Sequence, residues 1–160
     1  MPEASEPVLT TKAEIHADLP RVRQWFLQLS EHPKRYAFES HGGFTFTDGA
    51  FGEPGARFET KERFLCIRQT LKFLLTEVGD TFFRFELRKP IDGIWGRFVL
   101  DACSPAVTEL RLEVGANSRV KRVFLTLPVI SYAVRSQIQD EVSHIKSSVE
   151  HLVSQDALRG

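Results

Sequence analysis

The sequence has few of the residues that staple a protein or give it a sign. Among 160 residues there are two cysteines, one methionine, two tryptophans and two tyrosines, and 21 Lys and Arg balance 21 Asp and Glu. Two thiols form at most one bridge, which excludes a disulfide-framed mini-protein. Neither Cys66 nor Cys103 belongs to a C-x-x-C pair, so zinc and thioredoxin-like chemistry lack their spacing. Both lie in apolar stretches and are expected to be small buried hydrophobes. The zero net charge and the lack of a basic tail give no reason to expect nucleic acid. The longest apolar run, Val123 to Ile130 with Thr126 inside it, is far shorter than the roughly 20 residues that span a bilayer. The first residues, MPEASEPVLTTK, carry acids where a secretory leader needs a basic start and an apolar core. A cytoplasmic location is therefore the expectation. No G-x-S-x-G, H-E-x-x-H, P-loop or dinucleotide fingerprint is present, and no cofactor is expected.

What is present is 42% hydrophobic and 26% charged residues, with thirteen phenylalanines. A chain of this length buries roughly 69% of its extended surface, enough for one domain over residues 1–160 with an ordered core of about 8–153. Val8 to Ala17 reads as a strand. Asp18 then resembles a helix N-cap with Pro20 near the first helical position, and Val22, Trp25, Phe26 and Leu29 form one apolar helical face. Pro33 predicts an end near Glu31 and His32, with a second short helix over Lys34 to Phe38.

From Gly42 to Gly115 the period becomes two. Phe44 and Phe46, then Phe58, Thr60, Glu62 and Phe64, share one strand face each. Leu71, Phe73 and Leu75, then Phe83, Phe85 and Leu87, Phe98 and Leu100, and Leu110 and Leu112 follow in the same way. Turn residues at Asp48-Gly49, Pro54-Gly55, Gly79-Asp80 and Pro90 to Gly93 separate them. Short turns and no crossover predict an antiparallel meander with one dry face. The end of the chain is helical: Val134, Ile138, Val142, Ile145, Val149 and Leu152 recur every three or four residues. Pro128 either begins this helix or kinks a preceding turn. The class is thus α+β: a curved sheet of about six or seven antiparallel strands, its concave face covered by the long C-terminal helix.

This order resembles the helix-grip fold of the START-like (SRPBCC) superfamily, which includes polyketide cyclase-like proteins. The matching pieces are the strand Val8 to Ala17, the segment Asp18-Leu-Pro-Arg-Val-Arg-Gln-Trp-Phe-Leu-Gln-Leu, and the closing Glu141-Val-Ser-His-Ile-Lys-Ser-Ser-Val-Glu-His-Leu. The resemblance implies an apolar ligand, a hydrophobic small molecule or lipid, held between sheet and helix. The residues alone leave a filled core and a lined cavity both open, since ten of the thirteen phenylalanines lie between Phe44 and Phe98. Expected wall residues are Phe44, Phe46, Phe58, Phe64, Phe73, Phe85, Phe98, Ile138 and Val142, together with Thr60 and Glu62. A cyclase or dehydratase activity is the enzymatic alternative.

Strand parity turns Glu62 inward, where a carboxylate is costly unless paired and is the best candidate acid or base; a register shift would send it to solvent among Arg57, Lys61 and Arg63. His32, Tyr36 and His41 read as surface residues of a turn-rich loop, although the resemblance puts that loop at a pocket mouth. His144 and His151 are seven apart, which does not suit a metal on a helix, and no metal site is predicted. In Arg119 to Tyr132, three cations precede an apolar run. This segment forms the first turns of the long helix or docks on an anionic membrane or a protein partner, whereas oligomeric state is not legible.

Overall fold

The computed structural model describes residues 6–37, 41–64 and 66–160, with the side chain of Phe64 excepted. Seven strands run β1 (Leu9–Ile15), β2 (His41–Asp48), β3 (Arg57–Phe64), β4 (Ile67–Val78), β5 (Phe82–Lys89), β6 (Ile94–Ser104) and β7 (Val107–Ala116). They form one antiparallel sheet in the order β1-β7-β6-β5-β4-β3-β2, so β2 to β7 are a meander and β1 pairs with the last strand. Helix α1 (Leu19–Leu27) follows β1, and α2 (Arg119–Thr126) and α3 (Pro128–Arg159) end the chain. This is the α+β arrangement that the periodicity predicts and the helix-grip order that the resemblance implies.

Local chemistry accounts for the boundaries. Asp18 caps α1 by accepting from the Arg21 amide at 2.9 Å, and Pro20 sits in its first turn. The helix closes at Leu27 rather than near His32. Gln28 is its C-cap, and the chain continues as turns that still carry Leu29 into the core. The second short helix is a 3₁₀ turn at Pro33–Tyr36; Phe38 lies outside the described residues. Pro128 begins α3, and Ser118 caps a separate α2 ahead of it.

On the concave face the register aligns apolar rows across strands. Phe46, Phe58, Phe73 and Leu87 lie side by side from β2 to β5, and Phe83, Phe98 and Leu112 from β5 to β7. Ile138, Val142, Ile145 and Val149 of α3 close over this face, and the Trp25 indole donates to Ser148 at 2.9 Å to tie α1 to α3. Gly96 lies opposite Phe85, and a Cβ there would meet the Phe85 ring at 2.4 Å, so glycine is what lets this ring lie flat on the sheet.

The two thiols correct the sequence expectation. Cys66 sits in the tight β3–β4 turn with a left-handed φ of 66°, and Cys103 lies near the end of β6; both are exposed and free. Apolar sequence neighbours did not bury them because a hairpin turn and a strand end lie beyond the helix's cover.

Candidate functional site

The aromatic residues divide between a filled region and an open one. Phe26, Phe44, Phe51, Phe58, Phe83 and Phe98 are buried in mutual ring contact at centroid distances of 4.9–6.2 Å, with Phe46 against them. Toward β4 to β7 the packing opens into a cavity of about 320 Å³ under α2 and the start of α3. Its walls include Leu71, Phe73, Phe85, Leu87, Leu112 and Val134, with Glu62, its cross-strand partner Gln69, Gln137 and Glu141 as polar groups. Ile91 and Phe124, partly exposed, also line it.

Of the residues expected from sequence, Glu62, Phe73, Phe85 and Ile138 line this cavity. Phe44, Phe46, Phe58 and Phe98 belong to the packed aromatic region, Val142 packs in the core, and Thr60 lies buried beside Glu62. The Phe64 side chain lies outside the described residues. Tyr132 is 76% exposed and is not part of the cavity lining.

The cavity's polar end is built by four elements, the 3₁₀ turn, β2, β3 and α3. Glu62 on β3 is directly opposite His41 on β2, so strand register brings the imidazole Nε2 to 3.1 Å from Glu62 Oε1. Thr60, two residues away on the same face, donates its hydroxyl to the same oxygen at 3.0 Å. Glu141 arrives from α3, where Tyr36 of the 3₁₀ turn donates its hydroxyl to Glu141 Oε2 at 3.0 Å and Gln137 lies one turn back. The donor atoms of His41, Glu62 and Glu141 lie within 4.8 Å of one another. The Tyr36 and His41 rings meet edge to face with centroids 4.7 Å apart, and each residue is at most 2% exposed. These two are therefore not surface residues, as the turn-rich loop suggested; only His32 of the three is exposed.

A hydrogen bond sets the His41 tautomer. The Gly43 amide donates to Nδ1 at 3.0 Å, so Nδ1 is an acceptor and the ring proton lies on Nε2, directed at Glu62. Gly43 makes this possible: its φ is 89°, and a Cβ would meet the Pro33 carbonyl at 2.9 Å. The expectation of no metal site had not foreseen this donor cluster, since its members lie 21 and 79 residues apart. Its chemistry nevertheless suits a proton better than a cation. A ligating imidazole ordinarily donates its second N–H outward, whereas here that nitrogen already receives one.

Two carboxyls this close in a dry site do not both ionise easily. Burial, and next the charge of Glu62, raise the Glu141 carboxyl to about 7, with His41, Tyr36 and Gln137 pulling the other way. Burial and then Glu141 push the Tyr36 phenol well above its ordinary range, so it stays a donor. Glu141 was legible in principle, since it lies three residues after Ile138 and four before Ile145, on the buried stripe.

No protein-family model matches the chain, and a search of curated proteins finds no match. Solved structures do share its fold. The aromatase/cyclase Zhui from Streptomyces sp. R1128 superposes with a TM-score of 0.69 at 6% identity, over 91% of this chain and 94% of that one. A START superfamily protein from Mycobacterium smegmatis gives 0.61 at 14%, over 92% and 97%. KanY protein gives 0.61 at 17%, over 88% and 95%. The fold is START-like.

Proposed function

We propose that the chain binds an apolar small molecule or lipid in the cavity under α2 and α3, with the ligand's polar end toward Glu62, Gln137 and Glu141. The observation that carries this is the cavity itself: a largely apolar pocket of about 320 Å³, open to one side, whose polar groups gather at one end. Likeness of fold to proteins described as aromatase/cyclases supports the reading and keeps a cyclase-like activity as its enzymatic form. Affinity would come mainly from apolar burial, at roughly 25 cal/mol per Å² before ordering costs.

Native mass spectrometry of the purified protein is expected to show a co-purified apolar ligand, or binding of an added naphthalene-type fluorescent probe. Val134 lines the cavity and is only half-buried, so Val134→Trp fills the space without opening the core. The variant should lower probe affinity by about tenfold or more, about 1.4 kcal/mol, while unfolding as the parent does. Unchanged affinity would place the probe elsewhere.

A second reading concerns α2. It is a separate helix rather than the first turns of α3, and Val120, Val123 and Leu127 stand exposed beside Val129 and Tyr132 of α3. Lys121 is held by Asp92 at 2.8 Å and Arg122 by the Glu6 carbonyl, which leaves Arg119 exposed beside the apolar face. We read this face as a contact for an anionic bilayer. Val123→Asp is expected to lower co-sedimentation with phosphatidylserine vesicles by about tenfold, the worth of one buried Val side chain. Equal sedimentation of the two proteins, or none with the parent, would remove the reading.

A further inference from the structure

The polar end of the cavity holds more than a binding site needs. An apolar ligand with one oxygen is oriented by a single donor such as Gln137. Here two carboxyls face the same space, each with its own set of supports from different elements. Glu62 is held by two donors on one oxygen, the His41 Nε2–H and the Thr60 hydroxyl, which leave its other oxygen to the cavity. Glu141 has one phenolic donor that does not give up its proton and one amide neighbour, inside an apolar helix face. Environments that differ in this way divide an acid from a base.

We propose that Glu62 and Glu141 form an acid–base pair that moves a proton between carbon and oxygen of a bound apolar carbonyl compound, interconverting its keto and enol forms. The proposal rests on the cavity binding such a ligand. Glu141, as the acid, hydrogen-bonds the carbonyl oxygen. Glu62, as the base, takes the proton from the neighbouring carbon. The C–H electron pair becomes the new C=C bond, and the carbonyl π pair takes the proton of Glu141. The enol leaves Glu62 protonated and Glu141 ionised, and the return path reverses each transfer. No oxidant or cofactor enters the balance. His41, Thr60 and Tyr36 are positioning residues: the first two hold Glu62 aimed, and the third holds Glu141 in place.

The consequence is exchange of carbon-bound hydrogen with solvent, because the proton taken up by Glu62 exchanges with water while the ligand is held as its enol, before the return transfer to carbon. The probe is 2-tetralone, a bicyclic apolar ketone, followed by NMR in deuterated buffer, with binding measured separately by ligand-detected saturation transfer. The parent protein should accelerate α-hydrogen exchange, with the rate falling as pH rises through about 7, where Glu141 loses its proton. Glu62→Gln and Glu141→Gln should each lower the accelerated rate by roughly 100-fold or more while 2-tetralone still binds. Glu62→Asp, which keeps the charge but retreats from the ligand, should retain part of the rate, and near-UV circular dichroism checks that each variant is folded.

Binding of 2-tetralone with no acceleration by the parent, or with acceleration that survives both Gln substitutions, overturns the acid–base pair and leaves the binding reading intact. Failure of 2-tetralone and of the naphthalene-type probe to bind removes the cavity reading, and the pair falls with it. Loss of acceleration with EDTA and its return with Zn²⁺ would replace the pair by a metal site on the same three residues.

Discussion

Replacing Glu141 by Gln should make the protein more stable at pH 8 and leave it nearly unchanged at pH 4. Glu62 from β3, His41 from β2 and Tyr36 from the 3₁₀ turn face this carboxyl, and burial is the largest influence on it. In the folded protein it gives up its proton near pH 7, against 4.5 in the unfolded chain. Between those values the native state holds more protons than the unfolded one, so stability falls as pH rises. The contribution of the bound proton is complete below pH 4.5 and lost once pH passes about 7. The total is about 3 kcal/mol, at 1.36 kcal/mol for each pH unit. Glutamine has no proton to lose and still accepts from the Tyr36 hydroxyl. Chemical denaturation at intervals from pH 4 to pH 8 should therefore show the two proteins diverging by about 3 kcal/mol, nearly all of it below pH 7.5. Parallel curves would mean that Glu141 titrates as an ordinary surface carboxyl does.

The partners of such a group are what a linear reading loses. Strand and helix periodicity reports which face a side chain occupies, and on that basis the sheet, the long helix and the inward turn of Glu62 were legible. Glu62 is 8% exposed, inward as its parity with Phe58 and Thr60 requires. Parity says nothing about position along the strand, however. Phe58 and Phe73 are cross-strand partners on the same face, yet one packs among rings and the other borders the cavity. It also says nothing of partners from elsewhere. His41 meets Glu62 through a register that passes an irregularity at Gly42 and Gly43, and Glu141 meets both only when α3 crosses the sheet. Those contacts are tertiary, and no local pattern encodes them. The misreadings of Tyr36 and His41 have this origin: turn-forming neighbours mark a loop, but the 3₁₀ turn folds its tyrosine under the helix.

The contrast between Phe58 and Phe73 is itself measurable, and it separates solid core from cavity wall. Phe58 is 2% exposed and has rings on all sides: Phe44 edge-on at 5.0 Å, Phe73 stacked at 5.2 Å, Phe46 at 5.5 Å, and Phe51 and Phe85 at 6.1 Å. Phe58→Ala removes a ring from close-packed surroundings that cannot collapse, and should cost about 4 kcal/mol of unfolding free energy. Phe73 is half-buried and borders empty space, so fewer of its atoms have partners to lose. Phe73→Ala should cost about half as much, near 2 kcal/mol, and widen the cavity toward β3. Urea denaturation of the three proteins gives both differences, and apolar probes of increasing width test the second. The widened variant should accept a probe that the parent refuses, whereas Phe58→Ala should lose stability without gaining that binding. Equal costs at the two positions would mean that the cavity and the aromatic core are not distinct regions.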